Sequence, residues 1–348
     1  MRWNKLKIED DFAFEAGGSV SGIEVIYHTS DRDYKKGDRV VWVCHALTAN
    51  SNPEDWWPEM VGKGCYIDPN KDYVVCVNIF ASPYGTTGPR DWCEGSNRPA
   101  DSSKSSKGAS PLDFPKVTVR DMARLFPIVR KYIGIESIDL LVGSSIGGFQ
   151  ALEWAIIEPE VIQRAAFIAT APRVTPWLGA WMESQRMAIE ADPTFKECSD
   201  LTGGQKGLEA ARALSLISYR TFEGYNLTQA EKDEDCLFAE RVASYERYQG
   251  KKLVNRDFDA YSYYYLTWSV DSHNIGRKRG GVAAALQQIQ AKSIVITITS
   301  DGLFPPVEGR EWAQWIPKAE YIEIESQWGH DGFLLETKQI VESLKRLG

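Results

Sequence analysis

The sequence predicts an α/β fold in which a mostly parallel sheet is covered by helices on both faces and interrupted by a helical insertion. Three observations predict it. Short apolar, β-prone runs recur at 40–44, 73–79, 138–142, 165–170, 293–299 and 321–324, with helical stretches between most of them. One of these runs, 138–142, leads through Gly143-x-Ser145-x-Gly147 into helix formers that Pro159 stops. From about 176 to 288 the texture changes, and tryptophan, tyrosine and charged residues appear at helical spacing with few β-type runs. The expected organisation is a catalytic core of residues 1–175 and 289–348 and a helical lid, 176–288, over the carboxyl ends of the strands.

The totals narrow the classes. A chain of 348 residues makes one large domain or two, and 43% hydrophobic residues with 12 Trp suffice for a sizeable core and apolar pocket walls. A net charge of −8 argues against nucleic acid or an anionic membrane as the main partner. No apolar run approaches the roughly 20 residues that cross a bilayer, and residues 1–7 lack the apolar stretch of a secretory signal. The six cysteines show neither a C-x-x-C pair nor a framework spacing, as expected of reduced thiols in a cytoplasmic protein. No metal site is expected.

Along the chain, 18–29 and 39–44 flank a charged turn at 31–38 and read as a hairpin. The run 40–44 leads into His45-Ala46-Leu47-Thr48-Ala49-Asn50. A loop at this point of such a sheet supplies a backbone N–H to an oxyanion, here that of Leu47. His45 is either catalytic or, the favoured reading, a strand-end histidine that fixes the loop. Residues 83–89 form a turn-rich loop, and 94–111, rich in Ser, Lys, Gly and Pro, are expected to be exposed and mobile. Thr118 is a candidate N-cap for the next helix and Gly134 lies near its end.

The stretch around Ser145 carries the chemistry. A Gly-Ser turn can simply join strand to helix, but a strand before and a helix after G-x-S-x-G mark a nucleophile elbow. A sharp turn projects the serine Oγ, and Gly143 and Gly147 keep its flanks clear. The following helix aims free N–H groups at the site, the Ile146 N–H among them. The serine needs a base of near-neutral pKa. Only His28, His45, His273 and His330 are available. Behind an elbow of this kind the order is nucleophile, acid, histidine. Only His330 follows both Ser145 and a late core strand, so it is the predicted base. Asp301, at the end of the run 293–299, is the predicted acid, and Asp331 the rival, badly placed to reach the ring of its neighbour.

With these residues placed, the chain resembles the homoserine O-acyltransferase family of α/β-hydrolase-fold enzymes. The resemblance is carried in order by His45-Ala46-Leu47-Thr48, Tyr84-Gly85-Thr86-Thr87-Gly88-Pro89, Thr118-Val119-Arg120-Asp121-Met122, Ser145-Ile146-Gly147-Gly148-Phe149-Gln150, Gln185-Arg186-Met187, Ser218-Tyr219-Arg220, Tyr248-Gln249-Gly250, Asp301-Gly302-Leu303-Phe304-Pro305-Pro306 and Gly329-His330-Asp331. It implies that an acyl-CoA co-substrate acylates the serine and that the hydroxyl of homoserine, an intermediate of methionine biosynthesis, takes the acyl group. It implies no bound cofactor, small-molecule partners and a homodimer. It also implies an amino-acid pocket in which Arg212, Tyr219 and Asp331 take part, with Arg212 on the carboxylate and Asp331 on the ammonium. Two departures bear on specificity. Ser144 and Ile146 flank the nucleophile where the family has Gly and Met, and Ala49-Asn50 follow Thr48 where the family has Gly. L-serine as acceptor and succinyl-CoA as donor therefore stay open, as do a serine hydrolase and a non-catalytic binding module of the same fold.

Overall fold

Runs that are apolar on both faces belong in the interior of a sheet, and the computed structural model, which describes residues 1–94, 110–197 and 200–348, places them there. The chain begins with β1 (Arg2–Ile8), a short ribbon of β2 (Phe12–Ala13) and β3 (Ser19–Val20), then β4 (Ile23–Thr29) and β5 (Val40–Cys44). A short α1 (Pro53–Trp56) precedes β6 (Tyr73–Val77), and α2 (Pro89–Glu94) and α3 (Val119–Ile133) lead to β7 (Leu140–Ser144). Helix α4 (Ile146–Ile157) and β8 (Arg164–Ile168) follow. Thr118 caps α3 in a reciprocal box with Asp121, and Gly134 ends it in the left-handed region at φ 86°. The expected loop at 94–111 lies almost wholly outside the described residues.

The main sheet has the order β1-β4-β6-β5-β7-β8-β9-β10, completed by β9 (Lys292–Ile298) and β10 (Ala319–Ile324). Strands β1, β4 and β6 pair antiparallel and all other neighbours pair parallel. On one face Trp42 meets Phe126 of α3 and Trp154 of α4, with ring centroids 5.7 and 4.6 Å away. On the other, Val41 and Val43 pack with Trp57, Phe333 and Ile340. That face includes α13 (Gly332–Leu335) and α14 (Thr337–Lys345), while α12 (Pro306–Ala313) lies between β9 and β10. The order of strand addition reverses at β5: the chain passes from β5 to β6 on one side, then crosses back to β7 on the other and goes on to β8. The carboxyl ends of β5 and β7 therefore flank a topological switch point, where ligands of open α/β sheets bind.

The structure corrects the expected hairpin. β4 pairs with β1 and β6, and β5 pairs with β6 and β7, so β6 separates the two strands. All five side chains of β5 are buried, which requires neighbours and cover that a hairpin at the sheet edge does not provide. Strand β1, not singled out in the sequence, supplies the outermost antiparallel pairing instead.

Between β8 and β9 the named elements are all helices: α5 (Pro176–Glu190), α6 (Thr194–Glu197), α7 (Gln205–Tyr219), α8 (Phe222–Gln229), α9 (Glu240–Val254), α10 (Ala260–Asp271) and α11 (Val282–Leu286). Helix α7 packs against α5 and α9, and α5 against α10. Polar ties join these helices to the loops after β9 and β10. Trp177 Nε1 donates to Gly302 O at 2.8 Å, and Thr221 Oγ1 donates to Gln327 O at 2.6 Å.

Candidate active site

Ser145 stands between β7 and α4 at φ 55°, ψ −128°, a conformation that non-glycine residues rarely adopt and that costs about 1–3 kcal/mol. The fold holds it there. The Ser145 N–H donates to Ile168 O at 3.0 Å, and its carbonyl accepts from Thr170 Oγ1 at 2.8 Å. A Cβ on Gly143 would collide with the Gly147 carbonyl, and one on Gly147 with the Cys44 carbonyl. The two glycines are thus required by the close approach of α4 to β7 and β5.

The three residues selected in the sequence meet. His330 Nε2 lies 2.8 Å from Ser145 Oγ, and His330 Nδ1 lies 2.8 Å from Asp301 Oδ2. The other carboxylate oxygen of Asp301 accepts the N–H groups of Leu303 and Phe304 at 2.8 and 2.9 Å. An acceptor-only carboxylate places the proton on Nδ1 and leaves the Nε2 lone pair for the serine hydroxyl. His330 and Asp301 are both buried. Rings of Phe304, Phe333 and Tyr219 lie 5.1, 5.3 and 5.7 Å from the imidazole and confine its orientation. Asp331 does not compete for the ring, because its Oδ2 accepts from Arg220 Nε at 3.0 Å.

Two backbone N–H groups beside the serine have no protein acceptor among the described residues. Ile146 is the first residue of α4, so its N–H has no acceptor within the helix. Leu47 borders the same cavities as Ser145, and its N–H has no protein acceptor among the described residues. His45 explains how the Leu47 loop is held. Its Nδ1–H donates to Ala46 O at 2.9 Å, and its Nε2 accepts the Ile79 N–H at 3.2 Å. Gln150 Nε2 of α4 donates to His45 O at 3.1 Å. His45 is therefore the loop-fixing histidine. His273 is likewise structural, stacked on Phe149 with centroids 3.8 Å apart and bonded through Nε2 to Ala171 O at 2.9 Å.

Burial lowers the pKa of His45 to about 4 and of His273 to about 3. Both folded values lie below the unfolded one, so the native state binds fewer protons between them. The stability gained by keeping these rings neutral is fully present above about pH 6.5 and is lost as pH falls toward 4 and then 3. Ring-proton NMR titration should find both imidazoles neutral at pH 6.5, where a free histidine is half protonated. A native-state midpoint near 6.5 for either ring would contradict this.

Beside Ser145 opens a cavity of about 170 Å³ bordered by Arg212, Tyr219, Arg256, His330, Asp331 and Trp56, among others. The three residues expected in the substrate pocket are thus all present. Arg212 lies over the Tyr219 ring with its guanidinium carbon 5.7 Å from the centroid, and it forms no salt bridge among the described residues. Two residues escaped the sequence reading. Arg220 occupies half of the Asp331 carboxylate; it stood beside Tyr219 in a stretch already singled out. Arg256 has no spacing signal and reaches the cavity only through the packing of the helical segment.

Comparisons with known proteins agree with this architecture. Residues 39–337 match the family model of the alpha/beta hydrolase fold. The chain is 38% identical over 342 residues to homoserine O-acetyltransferase of Cyclobacterium marinum, covering 97% of this chain and 92% of that one. Homoserine O-acetyltransferase of Staphylococcus aureus superposes with a TM-score of 0.78 at 26% identity, over 99% of this chain and 94% of that one. An acetylester hydrolase from Corynebacterium glutamicum superposes with a TM-score of 0.81 at 23% identity, over 99% and 95% of the two chains, a likeness of fold alone. Identity at the level of the Cyclobacterium relative, over nearly the whole length of both sequences, establishes kinship: the chain belongs to the homoserine O-acetyltransferase family, within the α/β-hydrolase fold.

Proposed function

We propose that the protein transfers an acetyl group from acetyl-CoA to the hydroxyl of L-homoserine in a ping-pong cycle, with Ser145, His330 and Asp301 as its catalytic triad. The observation that carries the reading is the unbroken hydrogen-bond chain from Asp301 through His330 to Ser145 Oγ, opening onto a pocket with an unpaired guanidinium. Ser145 Oγ attacks the thioester carbonyl carbon while His330 Nε2 takes its proton. The Leu47 and Ile146 N–H groups receive the oxyanion. The C–S bond then breaks, and the departing CoA sulfur takes the proton from His330. In the second half His330 removes the proton of the homoserine hydroxyl, whose oxygen attacks the acyl-serine. Ser145 leaves and recovers its proton from the same nitrogen.

Arg212 holds the acceptor carboxylate with its fork of donors. Asp331 uses the oxygen outside its pair with Arg220 to meet the ammonium. Acetyl-CoA is a co-substrate rather than a resident cofactor. The place of the reaction is the cytoplasm, and homoserine acetylation is a step of methionine biosynthesis. The assembly is a homodimer, a reading supported by the exposed side chains of Phe222, Leu227, Leu237 and Phe238 close together in sequence on the helical segment; no helix among the described residues is long and apolar enough to cross a membrane.

Arg212→Ala tests the acceptor half of the cycle. Under single-turnover conditions acetylation of Ser145 should proceed at close to the parental rate. Transfer to homoserine should fall roughly 10²-fold or more, as expected when one partner of a buried charge pair is removed. Undiminished transfer would remove Arg212 from the acceptor site.

A further inference from the structure

A second, smaller cleft touches the nucleophile on its apolar side. It measures about 20 Å³ and is bordered by Ser145 together with Leu47 and Ile146, the residues that carry both proposed oxyanion donors. Its remaining walls come mainly from Leu178 and Met182 of α5, Val270 of α10, and Leu303 and Phe304 of the loop after β9. These five side chains are at most 5% exposed. Tyr219 is shared between this cleft and the larger cavity. None of the residues around the cleft is charged. Phe149, which also borders the cleft, stacks on His273, a ring held neutral by burial.

We infer that this cleft is the acyl-chain site of the acyl-enzyme, and that Leu178 and Met182, one turn apart on α5, limit it to two-carbon acyl groups. The inference rests on the acyltransferase reading and supplies its donor specificity. An ester on Ser145 whose carbonyl oxygen meets the Leu47 and Ile146 N–H groups must direct its acyl carbon to one side or the other. One side is the larger cavity with Arg212 and Asp331, which the zwitterionic acceptor requires. The other is the apolar cleft. Its space is little more than the ~10–15 Å³ needed by one water-sized group, which suits the methyl of an acetyl group. A succinyl chain would bring a carboxylate into a dry cleft with no cation to meet it, an unfavourable burial. The specificity wall belongs to the helical segment, so the helices between β8 and β9 select the donor as well as covering the serine.

The test is single-turnover acylation of the full chain by acetyl-, propionyl-, butyryl- and succinyl-CoA, read by intact mass. One methylene in an apolar pocket discriminates roughly 10- to 200-fold. Propionyl transfer to Ser145 should therefore be at least about 10-fold slower than acetyl, with butyryl and succinyl slower still. Met182→Ala should raise the butyryl-to-acetyl rate ratio at least about 10-fold and leave the succinyl ratio low, because space is gained without a cation. Val270→Ile, a smaller change that fills the cleft, should lower the propionyl-to-acetyl ratio further, and it serves where Met182→Ala folds poorly. Equal rates for acetyl and butyryl in the parent, or ratios unmoved by both variants, would overturn the assignment of the cleft while leaving the acyltransferase reading intact. Absence of an acyl-enzyme from every donor would overturn that reading, and the acyl site with it.

Discussion

Replacing Ser145 with alanine should lower kcat by on the order of 10⁶, the loss seen when a triad nucleophile is removed. The hydroxyl accepted by His330 Nε2 at 2.8 Å disappears, and no acyl-enzyme can form. The elbow itself should survive. Its backbone is held by the Ser145 N–H bond to Ile168 O and by Thr170 Oγ1 on the Ser145 carbonyl, neither of which uses the side chain. A native circular dichroism spectrum with no acyl adduct in the mass spectrum is the expected pair of results. An adduct on the alanine variant would place the nucleophile elsewhere.

Asp301→Asn should cost on the order of 10⁴ in kcat, and His330→Ala more. Asparagine can still accept the Leu303 and Phe304 N–H groups through its Oδ1. It then turns an amide N–H₂ toward His330 Nδ1, where the aspartate offered an acceptor at 2.8 Å. The imidazole responds by carrying its proton on Nε2, and the serine hydroxyl loses its base. Asp331→Asn should spare acylation, because that carboxylate is bonded to Arg220 and not to the ring. Pre-steady-state acylation rates of the two asparagine variants compare them directly. The opposite ranking would exchange the roles of the two aspartates.

The elbow could be read from sequence because its requirement is local. The backbone around Ser145 leaves no room for a Cβ at Gly143 or Gly147, so the glycines announce the turn. The base followed from scarcity, since two of the four histidines precede Ser145 and His273 lies in the helical segment between β8 and β9. What escaped depends on distant partners. β4 and β5 are adjacent in sequence, yet the long-range pairing of β6 with both of them sets their places. β1 shows a partial polar alternation that marks a strand only once β4 lies beside it. Arg256 reaches the pocket, and Arg220 reaches the Asp331 carboxylate that borders it, because of how the helical segment packs, which no local pattern encodes. The same holds for Leu178 and Met182, which read as an ordinary helical face until the carboxyl end of β7 is placed beneath them.

Transfer through Ser145 to an amino-acid hydroxyl is distinguished from transfer to water by a chase. The protein is acetylated with acetyl-CoA, freed of excess donor, and mixed with L-homoserine, with L-serine or with buffer alone, while the acyl-serine is followed by intact mass. Rapid loss of the adduct with stoichiometric O-acetylhomoserine, slower loss with serine, and a long-lived adduct in buffer are expected. Loss in buffer as fast as with homoserine, with free acetate as the product, would contradict transfer to an amino acid and make the protein a hydrolase.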